Sequence, residues 1–92
     1  MSMQAMIQRQ LFNAEELYAI LNDPLALKIL LYLRNGNPKV PLQEIADLIG
    51  RNRGETLKLL AGLYYKGFIE IREQEKYDLN ARVRNALDAL LA

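Results

Sequence analysis

The chain has no cysteine, no histidine and no tryptophan among its 92 residues. Without cysteine it can form no disulfide, no thiolate metal site and no cysteine nucleophile. Without histidine it lacks the commonest metal ligand and the usual general base near neutral pH. Carboxylates, lysines, tyrosines and hydroxyls remain, and so small a chain has little room for a substrate cleft. The composition therefore predicts a protein that is not an enzyme and uses no cofactor or metal.

Long apolar runs are also missing. A membrane-spanning helix needs about 20 predominantly apolar residues, whereas the most apolar segment, Leu25 to Leu33, is short and contains Lys28. The residues from Met1 to Ile7 lack the charged start and apolar stretch of a signal peptide. The sequence therefore predicts a cytoplasmic protein with no membrane partner.

The net charge is only +1. At first sight this argues against nucleic acid as a partner, because nucleic-acid-binding domains are usually basic. The charge is unevenly distributed, however: residues 28–66 carry a net +4, and residues 67–79 carry a net −2. Any contact with nucleic acid is therefore expected in the central part of the chain.

The spacing of apolar residues predicts four helices, a β-hairpin and a final helix in one domain, residues 13–92. Helix starts are marked by N-cap residues, with Pro24 at the first position of the second helix. These caps are Asn13, Asp23, Asn52 and Asn80. Glu16 is spaced to complete a capping box with Asn13. The helix from Leu25 to Arg34 is apolar almost all round, which predicts a central, enclosed position.

After Gly67 the apolar period changes from that of a helix to that of a strand. Alternation over residues 69–79 predicts a hairpin with Glu73 to Glu75 near its tip, and its apolar positions are Ile69, Ile71, Tyr77 and Leu79. Residues 39–41 read as a short extended segment. Residues 1–12 are interpreted as an N-terminal extension, flexible or helical. The fold class is thus mainly α with a small β-hairpin wing.

A two-turn helix from Leu42 to Ile49, a turn at Gly50 and a second helix followed at once by a hairpin form the layout of a winged helix-turn-helix. The segments Leu42–Gly50 and Leu60–Ile69, together with the Asn22–Pro24 junction, resemble those of the ArsR-like and MarR-like winged-helix transcription regulators. The resemblance covers about residues 17–91. It implies a DNA-binding regulator that acts as a homodimer. Metal-sensing members carry Cys or His ligands, which this chain lacks.

The second helix of the motif, at about residues 53–66, is predicted to enter the major groove, and the hairpin 69–79 to act as the wing. The predicted DNA-binding residues are Arg51, Asn52, Arg53, Gly54, Glu55, Lys58, Arg72 and Lys76. Gly54 would let the helix start approach a phosphate closely. The alternative is that Arg51, Arg53 and Lys58 are ordinary solvated charges. Because acidic residues flank Arg72 and Lys76, these two are as readily explained as a soluble hairpin edge.

The predicted recognition helix is unusually apolar. Leu57, Ala61, Tyr64 and Tyr65 cannot all face inward together with the inner stripe of Thr56, Leu60 and Leu63. Some apolar surface must therefore face solvent or a partner. This favours an alternative function, a winged-helix protein-interaction module within a larger assembly, with a partner bound through Leu57, Tyr64 and Tyr65 and little or no DNA binding.

The first and last predicted helices each carry an apolar stripe. The predicted dimer-interface residues are Leu17, Tyr18, Leu21, Val83, Leu87, Leu90 and Leu91. In the regulators that the chain resembles, such helices pair across a two-fold axis. The alternative is that both stripes only close the core of the single chain.

Overall fold

The computed structural model describes residues 12–36 and 39–91. Its helices are α1 (Ala14–Ile20), α2 (Pro24–Asn35), α3 (Leu42–Ile49), α4 (Arg53–Tyr65) and α5 (Ala81–Leu91). Its strands are β1 (Val40–Pro41), β2 (Ile69–Arg72) and β3 (Lys76–Leu79), with a 3₁₀ turn at Glu73–Glu75 between the last two. The predicted fold class, a mainly helical single-domain winged helix-turn-helix, is confirmed. Apart from Phe12, the predicted N-terminal extension lies outside the described residues.

The four predicted N-caps are confirmed. Asp23 Oδ1 accepts a hydrogen bond from the Ala26 amide at 3.2 Å, and Asn80 Oδ1 accepts from Arg82 at 2.9 Å. The capping box at α1 is wrong. Asn13 Oδ1 accepts instead from the Glu15 amide at 2.7 Å, and the buried Glu16 Oε1 has no hydrogen-bond partner in the described part of the chain. The Glu16 carboxylate therefore does not complete the predicted capping box with Asn13.

The core surrounds α2, as its all-round apolar pattern predicts. Ile29, Leu30 and Leu33 of this helix have no exposed surface, and Ala26 has almost none. Helices α1, α4 and α5 and the sheet contribute further buried side chains to the same cluster. Burial of large aliphatic side chains is the main favourable term in folding, so α2 is the element on which the others are assembled.

Helix α5 is tied to the end of α2 by polar contacts. The Arg84 guanidinium donates from Nη1 to the Arg34 carbonyl at 3.0 Å, and from Nη2 to the Leu33 carbonyl at 3.4 Å. Arg34 Nε in turn donates to Asp88 Oδ1 at 2.7 Å. The last carbonyls of a helix have no partner within the helix, and here Arg84 supplies a donor for them.

The hairpin belongs to a three-stranded antiparallel sheet of order β1-β3-β2. Val40 pairs with Tyr77, and Ile71 pairs with Tyr77 from the other side. The predicted hairpin is confirmed, although Ile71, one of its apolar positions, is 47% exposed. Strand β3 lies in the centre of the sheet and β2 at its edge, so Tyr77 is covered from both sides while Ile71 has one neighbouring strand.

Candidate nucleic-acid interface

The turn between α3 and α4 is set by Gly50, which ends α3 with a φ of 68°. In this left-handed region glycine is favoured over other residues. The Arg51 amide donates back to the Ala46 carbonyl at 3.1 Å, which closes the helix end. Helix α3 therefore ends at Gly50, and α4 begins at Arg53 as predicted.

Asn52 fixes the start of α4. Its Oδ1 accepts from the Glu55 amide at 2.8 Å, and its carbonyl accepts from Thr56 Oγ1 at 2.8 Å. Thr56 is fully buried, together with Leu60 and Leu63, so the predicted inner stripe is confirmed. The side-chain oxygen of Asn52 is occupied by the cap, which leaves its Nδ2 group as the part that can face a ligand.

The cations of the turn and of α4 are exposed but do not share one environment. Arg51, Arg53 and Lys58 all face solvent. Arg53 Nη1 donates to Gln43 Oε1 at 2.9 Å, and Gln43 Nε2 donates to Asp47 Oδ1 at 2.9 Å. Arg53 is therefore held against α3 by a short relay. Gln43 is not among the predicted site residues. Its spacing of four from Asp47 does indicate a side-chain hydrogen bond on the surface of α3.

Arg53 and Lys58 line two different concave surfaces. Arg53 lies in one with Gln43 and with Gln74 and Glu75 of the hairpin tip. Lys58 lines a second groove, between α4 and the junction of α1 with α2. The structure thus brings Arg53 to the wing tip and separates it from Lys58, an arrangement that helix periodicity alone does not predict.

Gly54 and Glu55 are exposed in the first turn of α4. A Cβ added at Gly54 would meet only Asn52 Oδ1, at the ordinary contact distance of 3.5 Å. Packing within the chain therefore does not require glycine there. The absence of a side chain leaves the helix start open to close approach from outside.

The two basic residues of the wing, Arg72 and Lys76, lie among acidic residues. Arg72 pairs with Lys76 across the two strands, and Glu70 pairs with Asp78 two residues further from the tip. Arg72 Nε lies 3.4 Å from Asp78 Oδ2 on the diagonal, and Arg84 Nη2 lies 3.8 Å from the other carboxylate oxygen of Asp78. The positive charge of Arg72 is thus partly balanced, while about half of its side chain stays exposed. Lys76 is half-buried.

The wing tip has an uncommon backbone. Gln74 and Glu75 have φ values of 61° and 56°, in the region that residues with a Cβ seldom adopt. Two consecutive residues of this kind give the tip a tight turn without glycine, and they direct Gln74 and Glu75 toward the concave surface that Arg53 lines.

A hydrogen bond joins the core helix to the helix-turn-helix. The Tyr32 hydroxyl on α2 donates to Glu44 Oε2 on α3. This hydrogen bond, with smaller contributions from burial and from the Glu44 charge, raises the pKa of Tyr32 above its ordinary value. The contact joins α2 to α3 at the surface, beside the burial of Ile45 and Ile49 in the core.

Apolar side chains lie on the outer side of α4, as predicted. Leu57 and Tyr65 are each 46% exposed. Tyr64 is half-buried and packs edge-on against the Tyr65 ring, with the centroids 5.6 Å apart. The recognition helix therefore offers both cationic and apolar surface.

The predicted dimer-interface residues divide into two groups. Leu17, Val83 and Leu87 are buried in the core of the single chain, so they have no surface to offer a partner. Tyr18, Leu90 and Leu91 are exposed, at 59%, 44% and 53%, and Leu21 is half-buried. The stripes on α1 and α5 thus close the monomer core and also continue onto its surface.

None of the helices in residues 12–36 and 39–91 is long and apolar enough to cross a membrane. Helices α3 and α4, joined by the Gly50 turn and followed by a hairpin, define a winged helix-turn-helix, the architecture of DNA-binding transcription regulators.

The chain belongs to the IclR helix-turn-helix domain family, whose model matches residues 26–72, more than half of its length. Domains of this DNA-binding class are typically not enzymes. The match identifies a helix-turn-helix regulator without supporting the ArsR-like or MarR-like assignment in particular. Comparisons with curated proteins and with solved structures gave no match.

Proposed function

We propose that the protein regulates transcription by binding double-stranded DNA as a homodimer, with α4 in the major groove and the hairpin 69–79 as a wing on the adjacent backbone. The observation that carries this proposal is the family match over residues 26–72, which spans the whole helix-turn-helix and β2. The exposed, cationic start of α4 supports it, because this part of a recognition helix contacts base edges in winged and related motifs.

Position in the motif suggests a role for each residue. Arg51 and Arg53 flank the helix start, where cations and free amides bind phosphate. Lys58 lies on the exposed face one turn further along, where a side chain can reach a base edge. Gly54 permits close approach, while Asn52 and Glu55 present polar groups beside it. Arg72 and Lys76 would contact the backbone from the wing.

The dimer part of the proposal follows the two-fold arrangement that ArsR-like and MarR-like regulators suggest. Of the predicted interface residues, Tyr18, Leu90 and Leu91 are exposed and Leu21 is half-buried. A two-fold dimer would present two copies of α4 to half-sites about one DNA turn, or ~34 Å, apart. It would also double the positive charge that the helix-turn-helix presents, which a single chain of net charge +1 offers only weakly.

DNA binding is tested by selecting duplexes from a random pool and measuring their affinity by fluorescence anisotropy at several salt concentrations. We expect affinity to fall with salt, and Lys58→Ala to weaken binding roughly tenfold. Arg82→Ala is the matched control: it removes one exposed positive charge at the start of α5, outside the motif. If no duplex binds at low salt, or if both variants weaken binding equally, the proposed face is wrong.

Dimerisation is tested by sedimentation equilibrium of the full chain, whose mass is 10.6 kDa. We expect twice this mass, and a return to the single-chain mass in Leu90→Lys and Leu91→Lys. The control is Ile71→Lys, a charge placed on an equally exposed apolar residue of the wing. A single-chain mass for the unaltered protein, at concentrations where it binds DNA, would contradict the dimer.

The exposed Leu57 and Tyr65 favour a second candidate function, a protein-interaction module in a larger assembly. It predicts that no duplex is bound at low salt and that the chain purifies with a stoichiometric protein partner. Leu57→Glu should abolish that association and Ile71→Glu should leave it intact. DNA binding by Leu57→Glu at the affinity of the unaltered chain would argue against a role of this surface in DNA recognition.

A further inference from the structure

A groove lies between α4 and the junction of α1 with α2, on the flank of the proposed DNA-binding helix. Its floor is apolar and is formed by Ile20, Ala26, Leu59 and Leu63. All four belong to the core or pack against it, so the floor is a fixed surface. The groove therefore has an apolar surface that is open to solvent beside the helix-turn-helix.

Charged groups of both signs rim this groove. Lys58 lies on α4, and Lys66 is the C-cap of that helix, eight residues further along, which separates their Cα atoms by about 12 Å at the helical rise. Asp23 lies on the facing junction. In the described part of the chain, neither lysine forms an ion pair with a side-chain carboxylate. A ligand oxygen above the midpoint between the lysines is within reach of both flexible side chains.

Gly62 occupies that midpoint. Glycine destabilises a helix interior relative to alanine, so its presence inside α4 needs a reason. A Cβ added at Gly62 would meet no atom within 4 Å, so packing within the chain is not the reason. The missing side chain keeps the groove open between the two lysines.

We propose that this groove binds a free α-amino acid with an apolar side chain. The ligand carboxylate lies above Gly62 between Lys58 and Lys66, its ammonium group faces Asp23, and its side chain rests on the apolar floor. A simple anion is disfavoured because Asp23 would repel it. A DNA phosphate is disfavoured for the same reason, and it has no apolar part for the floor. A zwitterion with an apolar side chain matches the two lysines, Asp23 and the apolar floor together.

Occupancy has a consequence for regulation, which rests on the proposed DNA-binding function. Lys58 belongs both to this groove and to the proposed DNA face. A carboxylate that holds the Lys58 ammonium withdraws it from DNA, so the amino acid and the duplex compete for one cation. The ligand would then lower DNA affinity to the level of Lys58→Ala, and would have no further effect on that variant.

Binding is measured first without DNA, by NMR titration of the full chain with L-valine. We expect saturation at one ligand per chain with a dissociation constant of about 1 mM, as suits so small a ligand. The Gly62 amide should shift, and the Gly36 amide should not. N-acetyl-L-valine, which lacks the ammonium group, and L-valinamide, which lacks the carboxylate, should each bind roughly tenfold more weakly.

Two variants test the site itself. Lys66→Met should weaken valine binding roughly tenfold, with Lys28→Met as the control at an exposed lysine of α2. Gly62→Ala should also weaken valine binding while making the protein more stable. Gly54→Ala, at the other glycine of α4, should leave valine binding unchanged. This last pair separates loss of the site from loss of the fold.

The proposal is overturned if valine shows no saturable binding up to about 20 mM. It is also overturned if N-acetyl-L-valine binds as well as valine, or if Lys66→Met weakens DNA binding while valine does not bind. In that last case the groove belongs to the DNA contact. Because the titration contains no DNA, a failure of the DNA-binding proposal leaves its outcome unaffected.

Discussion

The helix-turn-helix contains a pair of glycines for which the same substitution should have opposite effects. A Cβ added at Gly50 or at Gly62 would meet no atom within 4 Å, so neither Gly50→Ala nor Gly62→Ala creates a clash. The two positions differ in backbone conformation. Gly50 has a φ of 68°, whereas Gly62 lies in the interior of α4. The difference in stability between the two variants therefore isolates the backbone contribution.

Gly50→Ala forces a residue with a Cβ into the left-handed region, which costs about 1–2 kcal/mol. Gly62→Ala removes conformational freedom from the unfolded chain and should stabilise by about 0.5–1 kcal/mol. For a domain of this size, 1 kcal/mol corresponds to roughly 4–8 °C in Tm. The two variants should thus melt on opposite sides of the unaltered protein.

The measurement is urea unfolding followed by far-UV circular dichroism, with equal m-values required so that the midpoints report stability alone. Gly50→Asn serves as the control, because asparagine tolerates the left-handed region better than alanine. It should recover part of the loss. Equal stability of Gly50→Ala and the unaltered chain, or no recovery in Gly50→Asn, would refute the conformational explanation of the turn.

Three further predictions concern the wing and its support. Gln74→Gly should stabilise the fold by about 1 kcal/mol, because it relieves a positive φ; a loss of stability in urea unfolding would show that the side chain matters more than the backbone. Asn80→Ala removes the cap of α5 and the bond from Nδ2 to Glu70 Oε2, so it should cost about 1–2 kcal/mol in the same assay, and an unchanged midpoint would contradict this. Burial, and secondarily the charge of Glu75, raises the pKa of Tyr77 above its ordinary value. The folded state therefore holds the Tyr77 proton more tightly, and stability should fall as pH rises above about 10 toward the raised pKa. Tyr77→Phe should lose this part of the pH dependence, which thermal melts above and below pH ~10 would reveal.

Local signals were sufficient for most of the fold. Asp23 with Pro24, Gly50 and Asn52 each act through bonds within one helical turn, so their roles can be inferred from neighbouring residues alone. The pairing of β1 with β3 could not be inferred in this way. A strand of two residues has no periodicity, and its partner Tyr77 lies far along the chain, beyond two helices and a further strand.

The candidate site was predictable in part. The exposure of the start of α4 follows from the inner stripe of Thr56, Leu60 and Leu63, which fixes where the helix faces. The inner stripe does not predict what surrounds Arg53 and Lys58. Arg53 is held by Gln43 because α3 crosses near it, and Lys58 lines a groove because the α1–α2 junction lies beside α4. Helical spacing places Leu17 and Tyr18 on one apolar stripe. It does not show which of them the neighbouring elements cover, and in the structure Leu17 is buried and Tyr18 is exposed.

The pairing of β1 with β3 has a topological consequence. Val40 and Tyr77 are neighbours in the sheet, so all of α3, α4 and β2 lies in a loop whose two ends are held together. Closing a loop of this length has an entropic cost that grows only slowly with its size. In many small proteins a disulfide makes such a closure, and a chain without cysteine has none to use. Here the pairing of two short strands makes the closure instead, and it holds the start of α3 beside the wing.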